Sequence, residues 1–140
     1  MSTDSTPPAL PETKGGLVPY LMQKDAGAAS DFYKTAFGAE EVARMTAPGG
    51  TVLVHVHVYI NGHSLMMNDA MPEQGFPYEK PAGYALTLIV DDIDMWFKRA
   101  VEAGCTVATA VDTMFWGDRY GEVIDPFGIR WSMNEPAKRG

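Results

Sequence analysis

The sequence of 140 residues contains a single cysteine, Cys105, which excludes an intrachain disulfide and leaves no argument for an oxidising compartment. Basic residues are few and dispersed. Eleven Lys and Arg stand against 18 Asp and Glu, a net charge of -7, which argues against recognition of nucleic acid through its phosphates. No apolar run approaches the roughly 20 residues of a membrane-crossing helix, because Gly, Pro or charge interrupts each one. Residues 1–14, MSTDSTPPALPETK, have neither the basic start nor the apolar segment of a secretory leader. They read as a disordered tail, and the expected location is cytoplasmic. A glycine-rich phosphate loop and a Ser/His/Asp nucleophile motif are also lacking. With 46% hydrophobic and 21% charged residues, the rest of the chain is an ordinary folded domain with a core of its own. Cys105 reads as a small member of that core.

What is present is a pattern met twice. Leu17 to Gln23 is a short apolar strand candidate, and Ala29, Phe32, Tyr33, Ala36 and Phe37 then recur at helical spacing up to Gly38. Glu41 to Ala47 and the alternating Thr51 to Ile60 follow as strands, and Asn61-Gly62 turns the chain into His63 to Asp69. A proline-bearing connector, 70–83, leads to the second round. Tyr84 to Val90 is a strand, and Ile93, Trp96, Phe97, Ala100 and Val101 form a helical stripe ending at Gly104. Cys105 to Thr113, Arg119 to Ile124 and Ile129 to Asn134 are strands, with the turn Asp125-Pro126-Phe127-Gly128 before the last. Asp25 and Gly38 are 13 residues apart, as are Asp91 and Gly104. The spacing predicts an α+β domain of two βαβββ modules, 15–69 and 84–134, with 135–140 as a C-terminal tail. Neither module is large enough to be stable alone, which makes close packing of the two, and a homodimer, the expectation.

Several segments carry a family resemblance: Asp31-Phe32-Tyr33-Lys34-Thr35-Ala36-Phe37-Gly38, Val90-Asp91-Asp92-Ile93-Asp94 with Ala103-Gly104, and Trp116-Gly117-Asp118-Arg119-Tyr120-Gly121 before Asp125-Pro126-Phe127-Gly128. Together they resemble the vicinal oxygen chelate superfamily of glyoxalases, bleomycin resistance proteins and dioxygenases. Pro19-Tyr20-Leu21 and Leu65-Met66-Met67-Asn68-Asp69 are similar to its PhnB-like branch. The resemblance implies a curved mixed sheet and, in metal-using members, four His, Gln or Glu ligands on the first and last strands of each module. Those positions fall at Val18, Pro19 or Tyr20, near Met66, at Tyr84 or Ala85, and near Ser132, none of which is such a residue. A divalent metal is therefore disfavoured, and no cofactor is expected.

If those positions still mark the concave face, alternation places Val18, Tyr20 and Met22 on it, with Arg130, Ser132 and Asn134 from the last strand. Ile129, Trp131 and Met133 are left for the helix-covered side. In the third strand Val54, Val56, Val58 and Ile60 make one apolar face, so His55, His57 and Tyr59 line the cup. Two imidazoles two residues apart are suited to ligand hydrogen bonding, proton transfer or metal ligation. His63, just past the hairpin turn, is expected to be exposed. Met22 and Met66 adapt to varied ligands, Trp116 offers a stacking face and Arg119 a bidentate donor for an anionic group. The expected function is binding or sequestering of a small molecule. The alternatives are an enzyme of the same superfamily, using a relocated metal site or a His general base (His55 or His57), and an accessory module whose cup is filled by its own side chains.

Overall fold

The computed structural model describes residues 10–138; residues 1–9 of the expected N-terminal tail and 139–140 of the C-terminal one lie outside the described residues. The first module is β1 (Tyr20–Gln23), α1 (Ala26–Phe37), β2 (Glu40–Thr46), β3 (Leu53–Ile60) and β4 (His63–Asp69). A 3-10 turn, Pro72–Gln74, interrupts the connector. The second module is β5 (Leu86–Ile89), α2 (Ile93–Ala103), β6 (Thr106–Thr113), β7 (Arg119–Ile124) and β8 (Arg130–Glu135). Each makes a four-stranded mixed sheet, in the orders β1-β4-β3-β2 and β5-β8-β7-β6, the predicted pair of βαβββ units. No described helix is long and apolar enough to cross a membrane.

Local chemistry sets the element ends. The Asp25 side chain accepts from the Ala28 N–H at 2.9 Å to start α1, and Gly38, at φ 66°, stops it in a conformation that costs glycine nothing. Asp92 caps α2 by accepting from the Met95 N–H. β1 begins at Tyr20 instead of Leu17, because Pro19 has no N–H for a ladder and Leu17 is 94% exposed. β5 is likewise shorter than the expected Tyr84 to Val90.

Parity holds along most of β3, where Val56, Val58 and Ile60 are buried against α1. It slips at the start. Between Met45 and Thr46 the β2–β3 register shifts, so that Leu53 is buried and Val54 only half-buried, a correction to the expected apolar face.

The modules meet through α1 and α2, and among the described residues no strand of one sheet pairs with a strand of the other. Arg99 Nε donates to the Ala36 carbonyl at 3.1 Å, and Asn61 Nδ2, on the β3–β4 turn, to the Ile89 carbonyl at 2.7 Å. Tyr33 and Phe37 of α1 pack on Trp131 of β8, with ring centroids 5.3 and 4.5 Å apart. Fully buried aromatic side chains contribute roughly 1.5–3 kcal/mol each, so this cluster is a main bond between the halves. Asp125 completes it, accepting from the Tyr33 hydroxyl and from Trp131 Nε1 at 2.9 Å. Cys105 is in the core as expected, and burial, with the Asp125 carboxylate second, pushes its thiol up to about 12.

Candidate functional site

Each sheet carries its helix on one face only. On β1, Leu21 and Gln23 are buried while Tyr20 and Met22 are exposed. The β1–β4 pairing sets Tyr20 opposite Met66 and Met22 opposite Asn68. The β3–β4 pairing sets His57 opposite Met66 and Tyr59 opposite Ser64, and on the other side His57 meets Ala43 and His55 meets Met45. Since directly opposed residues share a face, Tyr20, Met22, His55, His57, Tyr59 and Met66 all lie on the open face of the first sheet. His63, the first residue of β4, pairs with Ile60 and is exposed at the mouth of the hairpin.

The polar groups of this face are linked in pairs. Tyr20 Oη lies 3.3 Å from His55 Nδ1, and His57 Nε2 lies 2.7 Å from Ser64 Oγ. Burial, with the nearby His55 second, lowers the His57 pKa from its ordinary value, so its ring is neutral at pH 7. The Lys14 N–H donates to Ser64 Oγ at 2.8 Å, which leaves the serine proton free to be given to His57 Nε2. Asn68 is a site residue that sequence reasoning missed. It is buried, and its Oδ1 has no hydrogen-bond partner within the protein. An orphaned buried acceptor costs about 1–3 kcal/mol. The only sequence signal for it is its parity with Met66.

On the second sheet, alternation puts Thr87, Arg130, Ser132, Asn134, Tyr120 and Glu122 on the open face, and Ile129, Trp131 and Met133 are buried beneath as expected. Thr87, not Tyr84 or Ala85, stands opposite Ser132, and their hydroxyls are 2.6 Å apart. Glu122 accepts from the Tyr120 hydroxyl and from Arg130, each at 2.6 Å. The Tyr120 hydrogen bond, working against partial burial and aided by Arg130, holds the Glu122 carboxyl below its ordinary range.

Arg119 lies on the other side of β7 from Tyr120 and Glu122, and its guanidinium fork is already engaged with Asp94 of α2, at 2.6 and 2.9 Å. Trp116 sits in the β6–β7 turn against the fully exposed Phe115, outside both sheet faces.

The positions opposed across the first and last strands, Tyr20 with Met66 and Thr87 with Ser132, offer a phenol, a thioether and two hydroxyls. This donor set does not fit a divalent metal, which selects several imidazole or carboxylate ligands. Among the described residues no three of His, Cys, Asp and Glu are gathered to replace it. Beside the first open face, a cleft of 610 Å³ runs between Leu17, Pro19 and Ile60 on one side and Leu86 and Ile89 of β5 on the other. Ser64 and Thr87 also line it.

The His57 shift has a consequence for pH. A ring whose folded pKa lies below the unfolded 6.5 contributes its full stability above that value. As the pH falls below 6.5 the unfolded chain takes up the proton first, and stability is lost down to the folded pKa. Denaturant midpoints measured from pH 7.5 to 5 are expected to fall less steeply for His57→Gln than for the wild type, and parallel slopes would show that the ring titrates normally.

The family profile described as Glyoxalase/Bleomycin resistance protein/Dioxygenase superfamily matches residues 17–133. An uncharacterized protein of Mycobacterium bovis is 43% identical over 128 residues, covering 87% of this chain and 84% of that one. Among solved structures, TioX from Micromonospora sp. ML1 superposes with a TM-score of 0.68 at 22% identity, over 90% of this chain and 99% of its own. A PhnB protein from Bacillus cereus does so with a TM-score of 0.63 at 16% identity, over 87% and 100%. These last two likenesses establish the fold, and the match over residues 17–133 establishes the lineage: the chain belongs to the glyoxalase/bleomycin resistance protein/dioxygenase superfamily.

Proposed function

We propose that this protein binds and sequesters a small molecule on its open sheet faces, as a cytoplasmic homodimer and without a divalent metal. One observation carries the reading. The helix-free face of the first sheet gathers two imidazoles, two phenols and three thioethers, with the unpaired Asn68 Oδ1 among them, while α1 lies on the opposite side. Such a mixture of adaptable apolar surface and a few fixed polar groups is the makeup of small-molecule sites. Exposure of Tyr20, Met22 and Ile89 on these faces supports a second copy as cover.

The test is a thermal-shift screen of natural products and metabolites on the full chain, followed by sedimentation of the apo protein. A ligand at a hundred times its Kd stabilises by about 2.7 kcal/mol, a rise of a few degrees for a domain of this size. Tyr20→Ala and His55→Ala are expected to reduce that rise. A screen in which no compound stabilises the protein overturns the binding reading, and a monomer at every concentration removes the dimer.

A second reading is an enzyme that uses His57 as general base. It is favoured by the neutral His57 ring and its 2.7 Å contact with Ser64. It would be lost if His57→Ala turned over a discovered substrate as fast as the wild type.

A further inference from the structure

Part of the open face is occupied by the chain itself. The residues before β1 cross the first sheet at its hairpin end. The Tyr59 hydroxyl donates to the Glu12 carbonyl at 2.6 Å, the Lys14 N–H donates to Ser64 Oγ at 2.8 Å, and the Lys14 carbonyl accepts from the Ser64 N–H at 2.9 Å. The Lys14 ammonium sits 4.2 Å from the centre of the Tyr59 ring. The apolar anchorage of this strap is slight, with Pro11 half-buried. Leu10 and Leu17, which flank it, are 76% and 94% exposed, and Glu12 and Thr13 are exposed as well. A segment held by three hydrogen bonds and one half-buried cation–π contact, with no fully buried side chain, is easily detached. Its anchor Ser64 is also where the open face joins the 610 Å³ cleft.

We infer that residues 12–14 are a displaceable occupant of the ligand site, and that the ligand replacing them is peptide-like. The reasoning is chemical. Tyr59 Oη gives its proton to the Glu12 carbonyl, and Ser64 Oγ takes one from the N–H of Lys14, two residues further along. A replacement that satisfies both needs a carbonyl and an N–H spaced as across one residue of an extended peptide. This rests on the binding reading above, and extends it from a small molecule in general to an amide-bearing one.

The experiment uses the full chain and the variant Lys14→Pro, which has no N–H to give Ser64. The probe is a capped synthetic peptide of residues 10–16, LPETKGG, and the readout is NMR. In the variant the Ser64 amide is expected to exchange at least tenfold faster than in the wild type. The peptide is expected to shift Ser64 and Tyr59 saturably at a concentration at least tenfold below that needed with the wild type, whose tethered strap competes at an effective concentration of about millimolar. The same peptide methylated at the Lys14 nitrogen is expected not to bind. Unchanged exchange at Ser64, equal binding to both proteins, or equal binding of the methylated peptide would each overturn the proposal. A library compound that binds wild type and variant alike would keep the binding reading while removing the strap as competitor. Peptide binding with no library ligand would do the reverse.

Discussion

Asp125→Ala is expected to lower the unfolding free energy by about 3–5 kcal/mol, because four neutral donors lose their acceptor and each one left buried and unsatisfied costs about 1–3 kcal/mol. Asp125 is 3% exposed and is the acceptor for four donors. The Phe127 and Ile129 N–H groups reach Oδ1 at 2.9 and 3.0 Å, and Trp131 Nε1 and the Tyr33 hydroxyl reach Oδ2. Truncation leaves them buried and unsatisfied. Asp125→Asn is not a mild version of the same change, because its amide NH2 must face two donors whichever way it is turned. Only the Tyr33 hydroxyl can rotate to accept, so Asn is expected to cost about 2–3 kcal/mol. Tyr33→Phe, which removes a single donor, is expected to cost about 1–2 kcal/mol. Burial and then the Asp125 carboxylate raise the Tyr33 pKa well above its ordinary value, so the phenol stays protonated and donating. Denaturant titration of the three variants at pH 7 checks the order, and an Asn variant as stable as the wild type would show that the carboxylate is not needed.

This network also marks the limit of what the sequence discloses. Asp125-Pro126-Phe127-Gly128 is legible as a turn from Pro and Gly alone, yet its main side-chain partner, Tyr33, is 92 residues away in the other module. Local signals specify elements, whereas a contact of that range depends on how α1 settles against β8. The same division runs through the site. Strict alternation in β3 made the placement of His55, His57 and Tyr59 opposite Val56, Val58 and Ile60 readable. The slip at Leu53 and Val54 was not, because a bulge leaves no mark in hydrophobicity. Arg119 and Trp116 have the right functional groups for ligand contacts, but the fork of Arg119 is engaged by Asp94 and Trp116 extends into a turn. Asn68 was hidden for the opposite reason. Only its lack of a partner in the folded protein distinguishes it. The strap of Glu12 and Lys14 lies in a stretch whose composition reads as a tail, and its order comes from Tyr59 and Ser64, which are distant in sequence.

Trp131→Ala is expected to cost about 3–5 kcal/mol, as large aromatic truncations in cores do. Trp131 is 2% exposed, packs against Phe37 and, edge-on, Tyr33 across the module junction, and gives Asp125 one of its four hydrogen bonds. The cavity left behind would open at the seam between the halves, so relaxation to fill it requires α1 to move on β8, a shift that the Asp125 network resists. Because the two side chains share a hydrogen bond, the double variant with Asp125→Ala should lose less than the two single losses combined, by about 0.5–3 kcal/mol. Strict additivity would show that they stabilise the junction independently. The neighbour Ser132 provides the contrast within one strand. Its hydroxyl lies on the helix-free face, 2.6 Å from Thr87 Oγ1 and hydrogen-bonded to Tyr120 as well, and Ser132→Ala is expected to cost about 1–3 kcal/mol, since buried partners lose those bonds while no large cavity forms. One step along β8 thus separates a side chain that holds the modules together from one that, although equally buried at 2% exposure, lies on the helix-free face of the sheet. A loss as large as that of Trp131→Ala would show that this hydroxyl pair is as much a part of the core as the indole.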